Sequence, residues 1–379
     1  MFKQISEPLF TKIEFIAGNE KRFAEFISNL NEEKIAIISH IDLDGIVSAK
    51  IVATVLQPDL IKLIDYPELN ESLVLELKEN KIKTVIFTDL YITEESFLKS
   101  IEKFAKILII DHHQITKDWN SEKTVFINAQ GYCAAFLCYY LFSKLKKTPV
   151  FLGPKTNRFL ETQDVSQLDW LVACACIADW QYFKNKEWLS KVYKKYGDKF
   201  IADKDKIKHG KFWNLQYEIS LALVYWSTKG NVKHVFDEIG NNFEDIGDLR
   251  KYGQIVQNEI NNLIKKFEVE KENIPEGYFF VFKPKFRVKS ILINQISSTP
   301  ENYTKTLILL NPSKTHYSIS ARRQDGKINL DELLKEIAKY FKNANGGGHI
   351  GAAGGKIPKK DLRKFKEKLI ELLNGKYKT

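Results

Sequence analysis

Through the first 145 residues, short apolar runs of strand length alternate with longer stretches whose apolar residues recur at helical spacing. That rhythm predicts a βα series built on a parallel sheet. A helix over 19–30, with Phe23, Phe26, Ile27 and Leu30 on one face, precedes a strand over 35–38 that reads as buried on both sides. From Gly45, the residues Ile46, Val47, Ala49 and Ile51 predict a helix. A strand near 61–64, a helix over 71–77, a strand ending at Asp89, a helix around 97–104 and a strand ending in Asp111, His112 and His113 continue the series. Helices over 132–145 and 169–180 follow. Residues 181–275 show only helical periodicity. From Gly277 the pattern changes to strands, in YFFVFKP, VKSILI, KTLILL and HYSISAR, with a turn at Asn311, Pro312 and Ser313. A helix over 330–341 and a final helix over 358–373 close the chain. The expected fold class is α/β: an N-terminal parallel-sheet domain over 1–185, a helical connector over 186–275, and a smaller C-terminal α/β domain with a mixed sheet over 276–379.

Three strands of this series end in residues that ligate metals. His40, Asp42 and Asp44 follow the first, Asp89 the third, and Asp111, His112 and His113 the fourth. Right-handed crossovers bring such ends to one edge of a sheet, where open α/β folds bind ligands. Carboxylates crowded there repel one another unless a cation neutralises them, and oxygen with imidazole ligands favours Mn²⁺ or Mg²⁺ over thiol-loving metals. The plainer alternative is that Asp42 and Asp44 cap the following helix, for which one of them suffices. Asp179, after an apolar helix, puts an anion where the helix dipole disfavours one, so something cationic is expected to compensate it.

Composition adds direction. The 379 residues suit two domains, and 44% hydrophobic with 28% charged residues marks a globular chain. No apolar run has the length of a membrane span, and the start MFKQISEPLFTKIEF lacks the order of a secretory signal, so the expected location is the cytoplasm. Of the net charge of +10, residues 281–379 supply 21 Lys and Arg against 8 Asp and Glu, which leaves the rest of the chain slightly acidic. A basic module beside an acidic metal site suits a polyanionic substrate; the other reading of the same charges is a solvated surface. The stretch NANGGGHIGAAGGK offers glycines over which a backbone approaches a ligand closely, and it is expected to form an anion nest ahead of a helix, although glycine clusters are also ordinary turns. Cys133, Cys138, Cys174 and Cys176 lack paired spacing and read as buried thiols. Trp213, Tyr217, Trp226 and Tyr252 could stack bases, but aromatics at helical spacing are usually core, and core is the expectation.

SHIDLDG at 39–45, TDL at 88–90, DHH at 111–113, ADW at 178–180 and GGGH at 346–349 resemble, in order, the motifs of the DHH phosphoesterase superfamily and its DHH-associated C-terminal domain. The HxDxDG form of the first motif is similar to that of the RecJ-like single-strand nucleases, the compact archaeal type in particular. Trp180 departs from the Thr of many relatives, which touches pocket shape more than metal binding. The resemblance implies two Mn²⁺ ions, with Mg²⁺ an alternative. His40, Asp42, Asp44, Asp89, His112 and Asp179 would hold them, Asp89 bridging. It further implies that His113 contacts the scissile phosphate, with Asp111 supporting the pair His112 and His113, and that Arg322, Arg323, Gly346, Gly347, Gly348 and His349 grip the substrate.

The function so implied is a manganese-dependent exonuclease that hydrolyses phosphodiester bonds at the end of single-stranded DNA or RNA. An oligoribonuclease or pAp phosphatase for very short substrates is the nearest alternative, and the charge asymmetry favours a polymer over it. A non-catalytic replication scaffold is a third reading, since the eukaryotic replicative-helicase subunit related to RecJ has lost its metal ligands. Here the ligand set is intact. The expected partners are single-stranded nucleic acid and a replication or repair helicase complex, with no membrane.

Overall fold

The computed structural model describes residues 12–30, 33–145, 150–151, 159–160, 164–204 and 206–377. The first eleven residues, most of the stretch read for a leader, lie outside them. Two compact units divide the chain, Met1–Gly253 and Gln254–Thr379, so that the helices of 186–275 are shared between them.

In the first unit, α1 (Glu20–Ser28), β1 (Ile35–His40), α2 (Leu43–Leu56), β2 (Leu60–Ile64), α3 (Glu71–Glu79), β3 (Thr84–Thr88), α4 (Glu95–Glu102), β4 (Lys106–Asp111) and β5 (Thr124–Asn128) build a five-stranded sheet of order β2-β1-β3-β4-β5. Every neighbouring pair is parallel. Strands β1, β3, β4 and β5 are largely buried on both faces, the edge strand β2 only partly, and alternate residues face different helix layers. Ile35 and Ile37 join the core formed with α1 and α2, whereas Ala36 and Ile38 join the core formed with α3 and α4. The fifth strand escapes the βα reading because no helix is described between β4 and β5, so the alternation breaks there.

The helices α5 (Ala134–Ser143), α6 (Asp169–Ala178), α7 (Lys186–Lys195), α8 (Lys211–Lys229), α9 (Lys233–Glu238) and α10 (Leu249–Glu270) follow, with a two-stranded pair of β6 (Val150–Phe151) and β7 (Phe159–Leu160) between α5 and α6. Helix α2 is apolar nearly all round because its buried residues share one core with those of α5 and α6. All four cysteines are buried. Trp213, Trp226 and Tyr252 pack against the same core.

The second unit holds a six-stranded mixed sheet of order β12-β13-β11-β10-β9-β8, made of β8 (Glu272–Ile274), β9 (Gly277–Val281), β10 (Thr306–Pro312), β11 (His316–Arg322), β12 (Asn345–His349) and β13 (Ala352–Pro358). VKSILI, expected to be a strand, lies in the helix α11 (Lys289–Ser297). Strands β9 and β10 pair in parallel, so the chain between them must cross over, and Val288, Leu292, Ile293 and Ile296 have the helical spacing to bury as it does so. A six-residue window is too short to show that period. The expected nest ahead of a helix is also corrected. GGGH forms the edge strand β12 of a hairpin with β13, and helices α12 (Leu330–Ala338) and α13 (Leu362–Asn374) cover the sheet face that carries Ile308, Ile319, Ala321 and Ile357.

Candidate metal centre

The order β2-β1-β3 reverses direction at β1, so the carboxyl ends of β1 and β3 flank the topological switch point of the sheet. His40 and Asp42 lie at the end of β1, and Asp89 directly follows β3. Among the described residues three overlapping ligand groups form there, His40 with Asp42 and Asp89, Asp89 with Asp111, His112 and His113, and Asp44 with His112 and Asp179, the donor atoms of each lying within 4.8 Å of one another. Asp89 turns one oxygen towards His40 and the other towards His112: Oδ2 is 3.7 Å from His40 Nδ1, and Oδ1 is 3.3 Å from His112 Nε2. His112 Nε2 also lies 3.5 Å from Asp179 Oδ2 and 3.7 Å from Asp44 Oδ2.

Local structure fixes each of these side chains. Asp42 is the N-cap of α2, accepting from the Gly45 N–H at 3.0 Å through one oxygen while the other lies 2.9 Å from His40 Nδ1. Capping and ligation are therefore compatible in one carboxylate. Gly45 is required, since a Cβ there would come within 2.3 Å of the His40 carbonyl oxygen. Asp44 accepts the first N–H groups of α5, from Ala134 at 2.7 Å and Ala135 at 2.8 Å, so the positive end of one helix orients a carboxylate carried by another. Asp89 has a left-handed backbone, with φ of 57°, a strained conformation for a residue other than glycine. Asp111 Oδ1 lies 2.8 Å from His113 Nδ1 and fixes that ring, whose Nε2 is 3.5 Å from the Tyr66 hydroxyl. Asp179 caps the C-terminal end of α6, where its carboxylate faces the dipole's negative pole.

The electrostatics fit a cation. Burial, reinforced by Asp44 and Asp42, pushes the Asp89 carboxyl well above its ordinary value, and burial likewise raises Asp44. Burial and the Asp44 charge push Asp179 up to about 7. Burial opposes the charged form of His40, but hydrogen bonding and attraction to Asp42 and Asp89 outweigh it and raise the imidazole to about 10. Asp89 Oδ2 and Asp179 Oδ2 are buried with no hydrogen-bond donor. Buried acceptors without donors, amid mutually destabilised carboxylates, are the donor set that a site built for divalent cations presents.

The structure thus brings together His40, Asp42, Asp44, Asp89, Asp111, His112, His113 and Asp179. It adds Asp65, whose Oδ1 lies 3.9 Å from His40 Nε2, and Tyr66, whose ring is 5.2 Å from that of His40. Asp65 carries the same signal as Asp89, a carboxylate directly after an apolar strand, but the signal is weaker because β2 is only partly buried.

In the second unit, Arg322 and His349 sit on one row across β11, β13 and β12, each paired with Ala352. Arg323, expected beside them at the substrate face, is 2% exposed and turned inward, its guanidinium on Asp325, Glu276 and Thr306. Successive strand residues face opposite sides, so the two arginines cannot share one face. Gly346 and Gly348 answer to packing, because a Cβ would meet the Leu334 carbonyl oxygen at 2.6 Å or that of Ala352 at 2.5 Å. Gly347 has no such constraint.

The model of the DHH family N-terminal domain matches residues 34–196, and that of the DHHA1 domain matches residues 281–375. The chain belongs to the DHH superfamily of phosphoesterases, with a RecJ-like fold. It is similar to the exonuclease RecJ bound to manganese, at a TM-score of 0.64 and 15% identity over 96% of each chain. It is similar also to RecJ of Thermus thermophilus in complex with Mn²⁺, at a TM-score of 0.61 and 15% identity over 97% of this chain and 56% of that one. A DHH domain described as belonging to a family of ribosomal proteins matches at a TM-score of 0.60 and 15% identity, over 97% of this chain and 95% of that one. No curated protein matches the sequence. Among the described residues no helix is long and apolar enough to cross a membrane.

Proposed function

We propose that this phosphoesterase is a Mn²⁺-dependent exonuclease that removes nucleotides from the end of single-stranded DNA or RNA. The observation that carries the reading is the position of Asp89, which belongs to the His40 group and whose other oxygen lies 3.3 Å from His112 of the Asp44 and Asp179 group. His40, Asp42 and Asp89 would hold one ion, and Asp44, His112 and Asp179 the other, with Asp89 bridging. Two divalent ions in such a site supply Lewis acidity towards a phosphoryl oxygen and ease the ionisation of water.

The remaining roles belong to the chain's own side chains. Asp111 keeps His113 in one orientation and leaves Nε2 to meet a phosphoryl oxygen, where a donated proton or hydrogen bond offsets the charge that develops during in-line displacement. Tyr66, raised above its ordinary phenol value by burial and by Asp89 and Asp111, stays a neutral hydroxyl donor beside that histidine. Arg322 and His349 bind the phosphate end of the strand, and the positive charge of residues 281–379 supports a polymer as the substrate.

Digestion of end-labelled single strands, in both sugars and both polarities, with Mn²⁺, with Mg²⁺ and with neither, tests the reading. Metal-dependent release of nucleotides from one end is the expected result. Purified protein that cleaves no nucleic acid with Mn²⁺ present would sink it and revive the scaffold reading.

A further inference from the structure

The C-terminal sheet has two unlike faces. Along β11, Ile319 and Ala321 enter the core covered by α12 and α13, so His316, Ser318, Ser320 and Arg322 point to the other side. Register carries that second face across three strands. Ser318 pairs with Lys356 and Lys356 with Asn345; Ser320 pairs with Gly354 and Gly354 with Gly347; Arg322 pairs with Ala352 and Ala352 with His349. Helix α11 lies over this face, placing Lys289 Nζ 2.6 Å from Ser318 Oγ and Asn294 Oδ1 2.9 Å from Arg322 Nε. Beyond it, His316, Ser318, Asn345, Lys356 and four glycines line an open cavity of about 490 Å³.

Lys289 and Lys356 have no counter-charge among the described residues. Among the described residues, no carboxylate lies within ion-pairing distance of Lys289 or Lys356, and Lys289 donates only to the neutral Ser318 hydroxyl and the Ile319 carbonyl. Burial alone depresses the Lys289 ammonium, with no acidic group opposing it. A half-buried cation kept without a carboxylate, its Nζ on the hydroxyl of Ser318, which lines the cavity together with a second lysine, Lys356, is suited to an anion that arrives from solution. His316 adds to the same wall, its Nδ1 held 2.9 Å from Ser313 Oγ.

We infer that Lys289, Ser318, Lys356 and His316 form a second phosphate subsite, distinct from the Arg322 and His349 end, which takes an internal phosphodiester of a substrate longer than a dinucleotide. Ser318 and Arg322 are four residues apart along one strand, so the two ends are about 13 Å apart. One nucleotide monophosphate does not reach from one to the other. The floor between them is Ser320, Gly354 and Gly347, which presents almost no side chain and accommodates a sugar or base lying flat. The inference rests on the nuclease reading above and names the substrate class within it: oligonucleotides whose affinity grows with length.

The test is a length series of 5′-labelled oligothymidylates on the full chain, with KM from hydrolysis and affinity from fluorescence anisotropy across salt concentrations. In the wild type, KM falls from the dinucleotide to the hexanucleotide. Lys356→Gln and Lys289→Gln each weaken hexanucleotide binding by up to about fivefold, the scale of an exposed ion pair. Each also reduces the salt slope by about 0.7, as expected for one lost phosphate contact. Gly354→Val, whose Cβ has only the Ile319 carbonyl oxygen near it at 3.4 Å, fills the floor and brings the ratio of the two KM values towards one without a charge change. Lys364→Gln, on the exposed side of α13, serves as the charge-matched control and leaves that ratio alone. A wild type that hydrolyses both lengths with equal KM, or Lys356 and Gly354 variants that keep the wild-type ratio, would overturn the subsite and leave the nuclease standing. A wild type that binds the hexanucleotide with a Lys356-dependent salt slope but cleaves nothing would overturn the nuclease and leave the subsite standing.

Discussion

The two sheets of this chain handle charge in opposite ways. In the N-terminal unit both faces of a parallel sheet are buried, so polar chemistry is confined to the strand ends, and there carboxylates accumulate until Asp44, Asp89 and Asp179 are each raised above their ordinary values. In the C-terminal unit one face of a mixed sheet is left partly bare, and its polar groups are uncompensated cations over glycine. Carboxylates outnumber cations at the first surface, and around Lys289 and Lys356 the second has cations without carboxylates. Phosphodiester hydrolysis needs both kinds, a metal site to activate and a cationic surface to hold the polyanion.

The largest expected effect is at Asp89, whose two oxygens reach the His40 group and His112 of the second group. Asp89→Ala removes an oxygen from each and should abolish metal-dependent hydrolysis, a greater loss than the roughly 10- to 100-fold that follows from changing a partner of a ligand. Near-normal turnover in that variant would refute the bridging role. Asp111→Asn is expected in that 10- to 100-fold range, through kcat and with Mn²⁺ affinity little changed, because it frees the His113 ring without removing a ligand. Equal losses in kcat and in metal affinity would show that Asp111 acts on the ions.

Neighbouring arginines sharpen the contrast in the second unit. Arg323→Met leaves Asp325 without its guanidinium and should cost about 2 to 4 kcal/mol of stability in denaturant unfolding, with kcat/KM unchanged. Arg322→Ala should raise KM and alter stability by no more than about 0.5 kcal/mol. Reversal of that pattern would mean that the guanidinium on Asp325 leaves it for substrate.

The smallest effect is a pH dependence. Asp179, raised to about 7, is largely protonated below that pH and ionised above it, and a cation binds the ionised form. Affinity for Mn²⁺ should therefore rise between pH 6 and pH 8, with proton release detectable by calorimetry in buffers of different ionisation enthalpy. An affinity flat across that window would show that Asp179 is not a ligand.

Much of the fold could be read along the chain, because β1 to β4 and the helices between them follow a strict alternation of periods. The readings that failed lie where pairing outranks local pattern. β5 has no helix before it, VKSILI became helical because parallel pairing of β9 and β10 requires a crossover, and the glycine-rich stretch became a hairpin edge. The convergence of the candidate ligands was legible for a similar reason, since carboxylates and histidines directly after apolar runs reach the sheet edge whatever the details of packing.

What the sequence determined by itself was therefore the set of chemical groups and the edge at which they emerge. Period and strand length specify those without knowledge of neighbours. The tertiary structure alone decided which groups share a centre, that Asp44 is oriented by the start of α5, and that Asp65 joins His40. It alone decided that Arg323 points inward while Arg322 points out. These outcomes depend on strand order, register and the face a residue takes, and a shift of one position reverses each without altering composition or hydrophobic pattern.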